Sequence, residues 1–146
     1  MFSFEKTIFI NRPAQEVFDL VTDPSRDALW RPSAISSEWA TEGPPGVGSI
    51  KKEVGKLMGR KMESATEVTH WESPNLYGNK SVGGPIPFQS KMVFESRDNG
   101  TQLTFSGQAE IGGFFKIAEG LAGRQLEKVM DSDLKNLKAF LEGGGA

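Results

Sequence analysis

The chain has 146 residues, no cysteine, one histidine and a formal net charge of -2, with a pI near 5.5. This length suits one domain with one core and room for a cavity beside it, and the weakly acidic balance supplies no basic field for nucleic acid or an anionic membrane surface. Disulfides, thiolate catalysis and cysteine- or histidine-rich metal sites are excluded, and no apolar run approaches the roughly 18 residues of a spanning helix.

The opening MFSFEKTIFI lacks the basic and long apolar segments of a secretory leader. The expectation is a cytoplasmic protein with no integral membrane association, no metal and no cofactor. Phe2, Phe4, Ile8 and Ile10 alternate as on one face of a strand. Pro13 then suits a helix start, with Asn11 or Arg12 as cap, and Ala14, Val17, Phe18 and Val21 fall on one helical face. Thr22 or Asp23 before Pro24 starts a second short helix, which Arg31-Pro32 ends.

From Ala34 the period changes to two. Strands are expected over Ile35-Ser37-Trp39, Ile50 to Met58, Met62 to Val68, Leu76 to Val82, Phe88 to Phe94 and Leu103 to Ile111. The short connections carry turn residues, as in Gly59-Arg60, Ser73-Pro74-Asn75, Gly83-Gly84-Pro85 and Asp98-Asn99-Gly100, and imply an antiparallel meander. The segment GPPGVGS before the third strand resembles a phosphate loop only superficially. Ser49 and Ile50 stand where that motif needs Lys and then Ser or Thr, and a strand rather than a helix follows. After Gly112-Gly113 the helical period returns through Phe114, Ile117, Ala118 and Leu121. It continues through Leu126, Val129, Met130, Leu134, Leu137 and Leu141, with residues 143–146 as a frayed tail.

Several segments in this order carry a family resemblance: FINRPAQEVFDLVTDPSRDALW, GPPGVGS, EVTHWESPNLY, GTQLTF and LKNLKAFLE. The chain resembles the START-like (helix-grip, SRPBCC) superfamily, of the polyketide cyclase/dehydrase and lipid-transport type, over about residues 4–142. The resemblance implies a single α+β domain. Its seven-stranded curved antiparallel sheet would wrap around a long C-terminal helix, with two short helices after the first strand. It also implies a cavity between sheet and terminal helix for a small hydrophobic molecule, aromatic, polyketide-like or lipid-like, in a monomer or homodimer.

If Val68, Met92 and Phe105 face that cavity, alternation brings Met62, Ser64, Thr66, Phe88, Ser90, Phe94, Leu103, Gly107 and Ala109 to the same side. The same wall serves equally well simply to pack the helix. The ligand-binding candidates are Phe18, Trp30, Trp39, Ser64, Thr66, Val68 and Phe88, together with Ser90, Met92, Phe94, Phe105, Gly107, Phe115 and Leu121. Trp30 either closes one cavity end or anchors the short helices, and Trp39 either stacks on a ligand ring or is a strand residue.

Glu63, Glu67 and Glu110 fall on the solvent parity, so no inward carboxylate pair is expected. His70 shares parity with Val68 and is either a proton-transfer group or a strand-end histidine beside Trp71. Tyr77 is the other candidate catalytic group. In SIKKEVGKLMGRK, the cations Lys51, Lys52, Lys56, Arg60 and Lys61 form a solvated hairpin or meet an anionic group. Lys52 and Lys56 share the parity of Ile50 and Val54, which suggests a bend at Gly55 or a hairpin reaching past the core. Gly120 and Gly123 inside a helical pattern cost about 1 kcal/mol each relative to Ala and mark an expected helix discontinuity and gate. Beside ligand binding, a cyclase/dehydrase-type enzyme and a chaperone-like or regulatory interaction module remain open.

Overall fold

The computed structural model describes residues 2–57, 59–111 and 119–143. Strand β1 (Phe2–Ile10) turns every second side chain inward, from Phe2 to Ile10. Helix α1 (Ala14–Val21) buries Ala14, Val17, Phe18, Leu20 and Val21. Its N-cap is Pro13, without a capping side chain, so neither residue expected to cap it does so. The Asn11 N–H instead donates to Glu142 Oε2 at 2.8 Å, and Arg12 Nε donates to the Leu141 carbonyl at 2.9 Å, tying the chain to the terminal helix. The second helix is a 3₁₀ helix (Pro24–Leu29) capped by Asp23, whose carboxylate accepts from Ser25 N–H at 3.0 Å.

Six strands follow: β2 (Ala34–Trp39), β3 (Ile50–Leu57), β4 (Arg60–Glu72), β5 (Leu76–Gly83), β6 (Phe88–Arg97) and β7 (Gly100–Ala109). They join β1 in one curved antiparallel sheet of seven strands, ordered β1-β7-β6-β5-β4-β3-β2. The two helices after β1 therefore carry the chain from one sheet edge to the other. The GPPGVGS turn is hydrogen-bonded to this sheet. Gly48 has a φ of 92°, a conformation that favours glycine, and its N–H donates to the Val68 carbonyl at 2.8 Å.

Two irregularities alter the faces predicted from simple alternation. A register shift between Ala34 and Ser36 leaves Ile35 exposed while Ser37 and Trp39 stay half-buried. A second shift, between Val68 and His70, lets β4 run on to Glu72 with reversed parity. A bulge of this kind adds one residue and turns the following side chains over.

Helix α2 (Glu119–Glu142) runs unbroken through Gly123, so the expected discontinuity does not fall there, and the stretch before Glu119 that would carry a preceding helix lies outside the described residues. A Cβ on Gly123 would stand 2.7 Å from the Phe2 ring, whereas one on Gly120 would meet nothing within 4 Å. Close approach of α2 to β1 thus explains Gly123. Lys6 on β1 reaches Asp131 and Glu127 of α2 at 3.3 and 3.6 Å, and Lys138 Nζ donates to the Phe9 carbonyl at 2.6 Å.

Two apolar clusters lie along α2. The larger gathers Leu134, Leu137 and Leu141 with α1, Ile10, Trp30, Val68, Tyr77, Phe94 and Leu103. The smaller gathers Ala109, Ile111 and Ala122, with Phe2, Ile86, Phe88 and Leu126 packed against it.

Candidate functional site

Between these clusters the described residues line a cavity of about 290 Å³. Leu126, Val129, Met130, Asp133 and Leu134 of α2 face it from one side, and Met62, Ser64, Thr66, Tyr77, Phe88, Ser90, Met92 and Phe105 face it from the sheet. Phe4, Val21 and Trp30 complete the apolar wall. Such a surface gains affinity from apolar area and orientation from a few polar groups.

Those polar groups are present. Trp30 Nε1, Thr66 Oγ1 and Asn79 Oδ1 are buried, line the cavity and have no hydrogen-bond partner among the described residues. Trp30 and Thr66 are each only 5% exposed. A buried polar atom without a partner costs about 1–3 kcal/mol.

One end of the cavity is ionic. Arg31, just after the 3₁₀ helix, donates to Asp27 Oδ2 at 3.3 Å and to Glu53 Oε1. Lys51 Nζ lies 3.9 Å from carboxylate oxygens of both Asp27 and Glu53. Asp133 of α2 stands 3.9 Å from Arg31 Nε. Burial raises the Asp27 carboxyl above its usual range against the pull of Lys51 and Arg31. Burial also works against Glu53, but Arg31 and Lys51 outweigh it and leave that carboxyl low. Asp133 is pushed up to about 6, by burial first and then by Glu53 and Asp27, with Arg31 opposing.

This cluster overturns the expectation that no carboxylates converge inward. On β3 the inward parity belongs to Lys51, Glu53 and Gly55, the opposite of an assignment based on Ile50 and Val54. Gly55 is tight, since a Cβ there would stand 3.1 Å from the Ser33 carbonyl. Lys52, Arg60 and Lys61 are exposed, while Lys56 is exposed at the cavity rim. The signal that could have found the cluster was the charged residue at every second position, Lys51 and Glu53, beside Asp27 and Arg31 spaced i, i+4.

Other candidates are dispersed. His70 pairs with Gly78, and because Tyr77 and Asn79 point inward, His70 lies on the outer face beside Thr69, Lys80 and Lys91. Its Nδ1 is 2.9 Å from Thr69 Oγ1. The β4 bulge is the reason its expected parity with Val68 fails. Phe18, Val68 and Phe94 are filled core rather than cavity wall, and Trp39 packs on Trp71 at that core's margin. Gly107 sits between Phe4 and the β6 backbone, where a Cβ would clash, and lines the outer groove instead. Leu121 is 45% exposed, Gly120 is exposed, and Phe115 lies outside the described residues. Among the described residues, no group of three or more His, Cys, Asp or Glu is placed to hold a metal ion, and no helix is long and apolar enough to cross a membrane.

Comparison with known proteins places this geometry. A family model described as polyketide cyclase / dehydrase and lipid transport matches residues 1–142. The protein TTHA0849 from Thermus thermophilus superposes with a TM-score of 0.81 at 19% identity, covering 99% of each chain. A START superfamily protein from Mycobacterium smegmatis gives 0.79 at 11% identity, covering 98% of this chain and 99% of that one. The ginseng major latex-like protein 151 from Panax ginseng gives 0.75 at 12%, covering 94% and 95%. No curated protein sequence matches the chain. At these identities the superpositions establish the helix-grip fold.

Proposed function

This chain belongs to the polyketide cyclase / dehydrase and lipid transport family, and from that premise we propose that it captures a small hydrophobic molecule with an aromatic or lipid-like body between the sheet and α2. Family and fold fit a hydrophobic ligand-binding domain. The observation that carries the reading is an apolar wall bearing Trp30 Nε1, Thr66 Oγ1 and Asn79 Oδ1 without partners among the described residues. Three of the five buried polar side-chain atoms left without partners among the described residues belong to residues around this 290 Å³ space.

Native mass spectrometry and solvent extraction of the purified protein test this directly. A co-purified small molecule, displaced when Ser90→Phe fills the cavity, is the expected result. A protein that is always empty and binds no naphthyl probe refutes the reading.

Catalysis in the same cavity is a second reading, favoured by one observation. Asp133 is an ionisable group on the cavity wall with its carboxyl near 6, the range a general base needs. Incorporation of deuterium from heavy water next to the carbonyl of 2-tetralone, followed by NMR, would reveal such a base. Exchange no faster than with Asp133→Asn sinks it.

A further inference from the structure

We propose that the polar head of the captured molecule is a cation, a protonated amine, received by the Asp133 carboxylate at the ionic end of the cavity. The inference rests on the cavity-binding reading above and adds the chemistry of the ligand's head.

The charges decide it. Arg31 gives its Nη donors to Glu53 and Asp27, and Lys51 sits 3.9 Å from those same two carboxylates. Two cations are thereby matched to two anions. Asp133 is the third carboxylate, with a side chain only 15% exposed, and its ion pair at 3.9 Å is with Arg31 Nε, a cation already shared by Glu53 and Asp27. The other charged group on the wall is Lys56, exposed at the rim of β3. Burial, Glu53 and Asp27 all oppose ionisation of Asp133, and Arg31 alone favours it. That is a local deficit of positive charge.

A second feature of the cavity, on the sheet that faces α2, points the same way. Thr66 is 5% exposed, and its hydroxyl finds no partner among the described residues; the carbonyl oxygen of Asn79 is likewise unpartnered. An ammonium carries three donors and no acceptor, so a cavity with a carboxylate on α2 and neutral oxygens on the facing sheet is a fitting receptor for it. Trp30 Nε1 is the opposing case, a buried donor that a ligand oxygen would satisfy. A carboxylate head could supply that oxygen, but it would stand as a fourth carboxylate against the two cations Arg31 and Lys51.

The test uses three probes with one apolar body: 2-naphthylmethylamine, 2-naphthylmethanol and 2-naphthoate, titrated against the full chain by fluorescence. At about pH 7.5 the amine is expected to bind about tenfold more tightly than the alcohol, and the naphthoate most weakly. The preference should vanish at about pH 5, where Asp133 is protonated, because a neutral carboxyl no longer attracts the ammonium. Asp133→Asn should abolish it at every pH, the amine and the alcohol then binding equally. Asp131→Asn, on the exposed side of the same turn, should change nothing. An amine that binds no better than the alcohol, or a preference that survives pH 5 or Asp133→Asn, overturns the cationic head and leaves the cavity reading standing. Failure of all three probes overturns both.

Discussion

Helix α2 presents one apolar stripe, yet its two halves meet different surroundings. Leu137 and Leu141 belong to the filled cluster that includes α1, where Phe18 makes edge-on contacts with Phe94, Trp71 and Tyr77 at centroid distances of 5.3, 5.5 and 6.3 Å. Leu126, Val129 and Met130 face the cavity, the two orphaned polar atoms of Thr66 and Asn79, and the ionic cluster beyond. The helical period is the same in both halves. The difference is that α1, only eight residues long, covers one length of the sheet and stops. Filled core and open site are therefore set by the reach of a neighbouring element.

Six substitutions would break or sharpen that contrast. Phe18→Ala in the filled half should cost about 3–5 kcal/mol, because the packed surroundings cannot collapse around the void. Met92→Ala at the cavity should cost less than half as much, since space already adjoins it. Urea unfolding of the two variants checks this, and equal losses would mean that the halves are packed alike.

Asp133→Asn should stabilise the free protein at about pH 7.5 by about 1–3 kcal/mol. The sign follows from the folded carboxyl lying near 6 against an ordinary value of 3.8. Between those values the native state holds a proton that the unfolded chain has released, so the wild-type contribution is complete below about 4 and is lost as pH rises through about 6. Thermal melts across that window should show the variant pulling ahead as pH increases.

Thr66→Val should be neutral or raise stability by up to about 1 kcal/mol, because it removes a buried hydroxyl without a partner. It should also weaken capture of a hydroxylated or amino ligand, measured by titration alongside the melt. Gly120→Ala is the smallest effect, a gain of a few tenths to about 1 kcal/mol from helix propensity. Gly123→Ala should lose that gain against the Phe2 ring, which thermal denaturation of both variants would reveal.

Much of the fold was legible because period-two and period-3.6 patterns report directly on which backbone conformation can bury one face. The strands of the meander, the proline-opened helices and the α2 stripe followed from those patterns. The apolar half of the cavity wall was readable in the same way, through Met62, Thr66, Phe88, Met92 and Phe105. What failed did so at single residues: the bulge after Val68 turned His70 outward, and the bulge after Ala34 turned Ile35 outward. Alternation carries no mark of where an extra residue enters a strand. The Asp27–Arg31–Lys51–Glu53–Asp133 cluster escaped for a related reason. Each charge taken alone reads as solvated surface, and only their convergence from three elements makes burial tolerable.

The amino-acid sequence by itself determined the order of elements, the antiparallel meander and the apolar stripe of α2, because these depend on interactions a few residues apart and on the local chemistry of proline and glycine. Only the tertiary structure decided which stretch of that stripe packs and which borders a cavity. It also decided that β3 turns Lys51 and Glu53 inward, and that Asp133 shares Arg31 with two other carboxylates. Those outcomes depend on distances between residues as far apart as position 27 and position 133, and long-range charge balance leaves no local pattern to read.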